Sequence, residues 1–279
     1  MGDPGSIVRK AIWASKRFGI EQVFSSLNLI GLALRNPSAG ASYLAGERKK
    51  LQMVVLHNSI TVSVKLLLGE VDPRLEDEIL ELETFGDDLW NELRSRAPRW
   101  TPLSRAECNY LYMICRMVKP KHIVETGVQH GLSSAYFLKA LERNGSGMLH
   151  SVDLPSKEYT SRIGTIADKI PPDVKCGWLV PRELRKNWNL ELGDSRYILP
   201  RLLAKINGID LFLHDSEHTE EMMRFEYSLA WKHLRKGGVL MSDDIDLSEA
   251  SREFFPADKA VGANGYRKGI AKLSAIVKP

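Results

Sequence analysis

The sequence has little of what would place it in several common classes of protein, beginning with cysteine. Only three cysteines occur in 279 residues, Cys108, Cys115 and Cys176, and no two of them form a C-x-x-C pair. A sparse, odd number of cysteines is typical of a reducing compartment and argues against a disulfide framework or a zinc site. We therefore expect a cytoplasmic protein.

Long apolar runs and an excess of one charge are also missing. No stretch of about 18 uncharged apolar residues occurs, so the sequence predicts no membrane span. The formal net charge is only +4, and basic and acidic residues are mixed along the chain, which disfavours a nucleic-acid partner. Hydrophobic residues make up 43% of the chain and charged residues 27%, so a core of ordinary size can form.

The first part of the chain, residues 1–100, is predicted to be a helical extension or cap ahead of a second domain at 101–279. Apolar residues recur at helical spacing over 75–95. Basic residues precede an apolar stretch at 27–34, and this amphipathic pattern has two interpretations. It is typical of a helix packed on the protein's own body, and also of a helix on a membrane surface.

Short apolar runs alternate with helical stretches after Pro120. Continuous apolar strands separated by helices indicate a mostly parallel sheet covered on both faces, which is a doubly wound α/β fold. Ligands of such sheets bind beyond the carboxyl ends of the strands. The predicted strands are His122–Thr126, Met148–Val152, Trp188–Leu192, Ile209–His214 and Val239–Ser242, and the predicted helices are Leu132–Arg143, Ser195–Lys205 and Glu217–Leu234.

A glycine-containing turn follows the first predicted strand. The strand ends at Glu125-Thr126-Gly127, and the turn runs through Gly131 to Ser133 at the start of a helix. Glycines let a turn bend tightly and let a ligand approach the backbone, and the helix start offers free N–H groups. These residues are therefore candidates for binding a cofactor, and a purely structural turn is the alternative.

Acidic and small residues follow the second and third predicted strands. Asp153-Leu154 lies 22 residues beyond the last glycine of the turn, a spacing at which an acid can accept the ribose hydroxyls of a nucleoside. Gly193-Asp194-Ser195 follows the third strand and is placed to contact an adenine ring. The alternative for both aspartates is to cap the next helix.

Five motifs in order along the chain resemble the class I S-adenosylmethionine-dependent methyltransferases. The resemblance covers Leu103 to Ile245 and points to a small-molecule group related to metal-dependent O-methyltransferases of antibiotic biosynthesis. It implies a Rossmann-like sheet of the seven-stranded type, S-adenosylmethionine as cofactor, Asp215 among the cofactor-binding residues, and a hydroxylated small molecule or sugar as acceptor. The motifs are VETGVQHGLSS, HSVDLP, NLELGDS, IDLFLHDSEH and KGGVLMSDDI.

Three carboxylates follow the fourth and fifth predicted strands. Asp215 ends one strand and Asp243-Asp244 ends the next, and neighbouring strand ends lie only about 5 Å apart. Carboxylates this close repel one another, and a hard divalent cation such as Mg²⁺ or Mn²⁺ removes the conflict. The resemblance implies the same metal site. In the alternative, Asp215 touches only the cofactor and the pair caps a helix.

His218, three residues after Asp215, is the predicted general base. Catechol-type enzymes of the resembling class have a lysine at this offset, so the position carries over but the residue type does not. A histidine is a suitable base for an alcohol acidified by a metal. Glu217 is a neighbouring alternative, and His130 and Trp178 are candidates for contacts near the cofactor or, equally, for plain packing.

Several alternatives stay open at this stage. A metal-independent methyltransferase would use His218 alone, and another enzyme could use the same scaffold with different acceptor chemistry. The rival from a different class is a non-enzymatic cofactor-binding or membrane-surface module. The sequence leaves open which acceptor is used and whether the chain forms a homo-oligomer.

Overall fold

The computed structural model describes most of the chain after residue 59. The basic and apolar stretch around 27–34 lies outside the described residues, and so does the predicted domain boundary near residue 100, which stays a prediction. The described residues are 60–97, 103–154, 170, 173–245, 248–256, 258–263 and 273–279.

A seven-stranded sheet forms the centre of the fold. Its strand order is β3-β2-β1-β4-β5-β7-β6. The first five strands pair in parallel, whereas β7 pairs antiparallel with both β5 and β6. The strands are β1 (His122–Thr126), β2 (Met148–Asp153), β3 (Trp188–Leu192), β4 (Ile209–His214), β5 (Leu234–Ser242), β6 (Val261–Gly262) and β7 (Ser274–Val277).

Helices follow or precede these strands as a doubly wound fold requires. A helical segment at 60–68 precedes the first long helix, and Arg182–Asn187 forms a 3₁₀ turn before β3. The helices are α1 (Arg74–Arg96), α2 (Arg105–Val118), α3 (Leu132–Asn144), α4 (Ser195–Ile206), α5 (Glu220–His233) and α6 (Glu249–Phe254).

Two hydrophobic cores cover the two faces of the sheet. Side chains alternate along a strand, so Leu211 and Leu213 of β4 join one core while Phe212 joins the other. The first core also contains Leu82 and Leu89 of α1, which therefore pack in the same core as α2 and α3. The second core is formed with α4 and α5.

Local sequence signals explain where two of these helices begin. Ser104 accepts a hydrogen bond from the backbone N–H of Glu107, whose carboxylate accepts one from the N–H of Ser104 at 2.6 Å, so a capping box starts α2. Thr219 caps α5 by accepting from the backbone N–H of Met222. Both helices thus begin at a hydroxyl residue beside the edge of the sheet where the strands end.

The fold class predicted from the sequence is confirmed, and all five predicted strands are present. The sheet has two further strands, β6 and β7, which are short and lie next to residues outside the described part of the chain. The order in which strands are added to the sheet reverses at β1, because β2 and β3 lie on one side of it and β4 and β5 on the other. Doubly wound folds bind their ligands at such a reversal of strand order. Within the described residues, no helix is long and apolar enough to cross a membrane.

Candidate functional site

The turn after β1 packs directly on the segment after β4. Gly127 has a φ of +84°, and a Cβ atom there would lie 1.9 Å from the carbonyl oxygen of Asp215. Gly131 has a φ of +91°, and a Cβ there would lie 2.9 Å from the Cα atom of Gly177. Both positions therefore require glycine for conformation and for space. We call Gly127–Gly131 the glycine loop.

Asp153 holds the glycine loop from the end of β2. Its Oδ2 atom accepts hydrogen bonds from the backbone N–H groups of Val128 and Gln129 at 2.5 and 2.7 Å. Burial raises the pKa of Asp153, and these two hydrogen bonds act in the opposite direction. The Oδ2 atom of Asp153 thus holds the glycine loop. The predicted contact of Asp153 with ribose stays a prediction.

Glu125 and Ser133, predicted to bind the cofactor, have a different role in the structure. Glu125 is fully buried, and its carboxylate accepts hydrogen bonds from the hydroxyls of Ser133, Ser134 and Ser151. This carboxylate therefore joins β1, β2 and the start of α3 beneath the glycine loop. Their predicted contact with the cofactor stays a prediction, and their side-chain oxygens hydrogen-bond to each other inside the protein.

A second buried carboxylate lies on the other face of the sheet, and the sequence analysis missed it. Glu226 of α5 accepts hydrogen bonds from Thr126 and from Ser195, the latter at 2.6 Å. It also lies 2.7 Å from Nδ1 of His214 and 3.1 Å from the Ser216 hydroxyl. Its signal in the sequence is a charged residue on an otherwise apolar helix face. The hydroxyls of Thr126 and Ser195 thus donate to Glu226, and the predicted contact of these two residues with the cofactor stays a prediction.

The segment after β3 caps a helix, as the alternative for it proposed. Asp194 is the N-cap of α4, where its side chain accepts from the N–H of Arg196 and forms an ion pair of 2.7 Å with the same residue. The N–H of Gly193 donates to the carbonyl of Asp153 at 2.8 Å, which extends the pairing of β2 and β3. Leu154 is half-buried, and the residues that follow it lie outside the described part.

The acidic residues after β4 and β5 come together with His218, as the sequence predicted. Nε2 of His218 lies 3.9 Å from Asp215, and Nδ1 lies 3.6 Å from Asp244. Burial, together with the charges of Asp243 and Glu125, raises the pKa of Asp215 well above its usual range. About a fifth of the His218 side chain is exposed, although its Nε2 atom is buried, so a bound molecule can reach the ring only from its exposed part. This end of the sheet therefore favours a cation among its carboxylates.

The predicted magnesium site can be compared with these positions. Oxygen donors such as Asp215, Asp243 and Asp244 are those that Mg²⁺ prefers. In the part of the chain that the structure describes, however, no group of three His, Cys, Asp or Glu side chains is arranged to hold a metal. The His218 ring lies within ion-pair distance of two of the three carboxylates instead. The side chains as placed do not fit a magnesium ion, and the metal stays a prediction from the sequence.

His130 and Trp178 pack against each other over the glycine loop. The indole N–H of Trp178 donates to Nδ1 of His130 at 2.8 Å, and burial lowers the pKa of His130 to about 4. His130 is therefore a weak base, and its Nδ1 is already used as an acceptor, so it is less suited than His218 to take the acceptor proton. Arg96 of α1 lies over the Trp178 ring at 5.2 Å and pairs with Asp173, so α1 also supports this segment.

The comparison with protein families identifies the domain. Residues 124–245 match a family model described as a methyltransferase domain, which is somewhat less than half of the chain. The match begins in β1 and ends just after the aspartate pair that follows β5, so it spans the glycine loop and the acidic cluster. By this match, residues 124–245 form a methyltransferase domain. This result favours an enzyme over the non-enzymatic module.

Solved structures of methyltransferases are also similar to this methyltransferase, at low identity. An S-adenosylhomocysteine-bound methyltransferase of Podospora anserina is 14% identical and has a TM-score of 0.47, covering 69% of this chain and 86% of its own. An O-methyltransferase of Streptomyces achromogenes, involved in tomaymycin synthesis and bound to S-adenosylmethionine, is 16% identical with a TM-score of 0.45, covering 79% and 96%. No curated protein matches the chain. The identification therefore rests on the family model and the strand order.

Proposed function

We propose that the methyltransferase transfers the methyl group of S-adenosylmethionine to a hydroxyl oxygen of a small acceptor, with His218 as the general base. The observation that supports this most is the position of the His218 ring, which lies between the carboxylates of Asp215 and Asp244. The backbone of Asp215 in turn contacts Gly127 of the glycine loop. The base and the loop thus lie side by side at one edge of the sheet.

The reaction follows from these positions. His218 takes the proton of the acceptor hydroxyl as the oxygen attacks the methyl carbon. The O–C bond forms while the C–S bond breaks, and the electron pair of the broken bond returns to sulfur, which leaves S-adenosylhomocysteine. The protonated imidazole is then a cation beside two carboxylates, which stabilises it. Holding the two reactants in line supplies much of the acceleration.

The cofactor would lie across the ends of β1, β2 and β3. The glycine loop lets a ligand approach its backbone, and Asp153 and Asp194 remain the candidates for the ribose and the adenine. Glu125, Thr126, Ser133 and Ser195 support this surface from below rather than line it.

Of the features predicted from the sequence, assistance by magnesium has the least support from the geometry. The acidic cluster would favour a divalent ion as it favours an imidazolium, but the described side chains do not form a three-ligand group. The reaction above therefore uses only the chain's own residues. If Mg²⁺ or Mn²⁺ does bind, Asp215, Asp243 and Asp244 would hold it, and it would supply acidification of the acceptor hydroxyl.

The acceptor is proposed to be a hydroxylated small molecule, a sugar included. Support comes from the motif resemblance and from the similarity to solved structures of O-methyltransferases. The test is a mass-spectrometric screen for products 14 Da heavier than the starting compound, over catechols and glycosides. Products methylated on nitrogen or sulfur alone would contradict the proposal.

The base is tested by comparing two neighbouring residues. The His218→Ala variant should lose most of its kcat near neutral pH and recover part of it as pH rises, because solvent can then take the hydroxyl proton. Glu217 is half-buried and its carboxylate accepts a hydrogen bond from Thr219, so the Glu217→Gln variant should keep its kcat. The opposite result, with Glu217→Gln inactive and His218→Ala active, would assign the base to Glu217.

A further inference from the structure

Glu226 connects three of the segments that make up the functional site. It is fully buried on α5, and its hydrogen-bond partners lie at or just after the ends of three different strands. Thr126 ends β1, Ser195 follows β3, and His214 and Ser216 lie at and after the end of β4, and all four hydrogen-bonding groups reach this single carboxylate. A carboxylate has about four acceptor positions, so Glu226 uses its whole capacity.

The charge of Glu226 determines how His214 is held. Burial alone would raise its pKa, but hydrogen bonds from His214, Ser195 and Thr126 outweigh burial, and the pKa lies below its ordinary value. The ionised carboxylate can only accept, so Nδ1 of His214 carries a proton in their 2.7 Å hydrogen bond. This bond fixes the orientation of the His214 ring.

Two hydrogen-bond partners of Glu226, at and just after the end of β4, lie on either side of Asp215. His214 precedes Asp215 and Ser216 follows it, so one carboxylate holds the backbone of this aspartate from both directions. The edge of the His214 ring also packs against His218, with ring centroids 5.4 Å apart at an interplanar angle of 76°. Glu226 therefore acts on both residues without touching either.

We propose that Glu226 is a positioning residue for methyl transfer, which orients Asp215 and His218 through His214 and Ser216. This inference rests on the proposed function, because it assumes that these two residues take part in the transfer step. Its role differs from that of Glu125, whose hydrogen bonds on the opposite face join β1, β2 and the start of α3.

The test replaces Glu226 with glutamine, which has the same shape but adds an amide donor where only acceptors fit. We expect kcat, measured on the best acceptor from the catechol and glycoside panel, to fall about 10- to 100-fold, since small misplacements of reacting groups have effects of this size. The dissociation constant for S-adenosylmethionine, from calorimetry, should change less than about threefold, because the lost interaction acts in the transition state.

The matched control is Glu78→Gln. Glu78 also accepts several hydrogen bonds, from Tyr112 and Arg116, but these join α1 to the later turns of α2, away from the strand ends. The Glu78→Gln substitution should lower the thermal midpoint of unfolding and leave kcat unchanged. Ser216→Ala, which removes a single hydroxyl from a half-buried side chain, is the second test variant, and its kcat should fall several-fold by the same positioning effect.

A second readout does not depend on turnover. In ¹⁵N-histidine-labelled protein, Glu226→Gln should shift the imidazole resonances of His214 and His218, whereas Glu78→Gln should leave both in place. Unchanged resonances in Glu226→Gln and Ser216→Ala would overturn the inference, as would a loss of kcat no larger than in Glu78→Gln. If the wild-type protein methylates no hydroxyl, the proposed function fails, and the resonances still decide whether Glu226 positions His218.

Discussion

At the scale of single residues, Gly127 offers the sharpest test of the cofactor site. Its substitution by alanine would place a Cβ 1.9 Å from the carbonyl oxygen of Asp215, so the glycine loop must move away from β4. We expect the affinity for S-adenosylmethionine in calorimetry to fall by about 100-fold or more, which corresponds to roughly 3 kcal/mol.

The control for this substitution is Gly145→Ala. Gly145 has a similar φ of +73°, and a Cβ there meets nothing within 4 Å. The change should cost only the strain of a left-handed alanine, about 1–2 kcal/mol of unfolding free energy, and leave cofactor affinity intact. Equal losses of affinity in both variants would show that general destabilisation, and not the loop, is responsible.

Asp153 has two candidate roles that one experiment can separate. Asp153→Ala should weaken cofactor binding about 10- to 100-fold, because charge-assisted hydrogen bonds contribute about 1.5–3 kcal/mol. If the carboxylate binds ribose, an S-adenosylhomocysteine analogue without ribose hydroxyls should bind the wild type more weakly, and the variant should not distinguish the two ligands. Equal affinity of the wild type for both ligands would leave Asp153 only its hydrogen bonds to Val128 and Gln129.

At the scale of elements, Glu125 makes the junction of β1, β2 and α3 sensitive to pH. Burial raises its pKa to about 6, against hydrogen bonds from three serines and together with the charge of Asp153. Because the folded pKa lies above the unfolded one, the protonated form is favoured in the folded state. The stabilisation of the folded state by protonated Glu125 is fully present below the unfolded pKa, and it is lost as pH rises through about 6.

This sign gives a measurable difference in the unfolding free energy. Between about pH 4 and 7, the unfolding free energy of the wild-type protein should fall by on the order of 2 kcal/mol relative to that of Glu125→Gln, because the variant has no charge to bury. Urea unfolding at several pH values measures it. Glu78→Gln is the control of opposite sign, since the ion pair with Arg116 lowers the pKa of Glu78 and stabilises the protein at higher pH. Parallel pH profiles for wild type and Glu125→Gln would contradict the buried charge.

At the scale of the whole molecule, the open question is how the acidic end of the sheet is neutralised. In the proposed reaction the cation forms when His218 takes the acceptor proton, and no metal takes part, so turnover of the purified enzyme should persist in excess EDTA. Asp244→Asn should then lower kcat by weakening the support of His218, with cofactor affinity largely kept. Loss of turnover in EDTA and its recovery with Mg²⁺ or Mn²⁺ would instead establish the metal site predicted from the sequence.

The sequence by itself determined the sheet and the place of the site. Continuous apolar strands between helices predicted β1 to β4 to within one residue, because parallel strands buried on both faces have a distinct pattern. The prediction for β5 covered only Val239–Ser242 and missed its first five residues, three of which are exposed. Glycines at 127 and 131 and the acids after the strands then placed the site at the carboxyl edge. Such signals are local in the chain, so no knowledge of packing was needed to find them.

Only the tertiary structure decided which polar side chains face the site and which lie beneath it. Glu125, Thr126, Ser133 and Ser195 occupy positions in the motifs that suggested ligand contact, yet their polar atoms are satisfied by partners inside the protein. The deciding partner of two of them, Glu226, lies 100 residues from Thr126 and 31 from Ser195 in the chain. A buried carboxylate must collect hydrogen bonds wherever the fold brings donors together, and this convergence exists only once β1, β4 and α5 have packed.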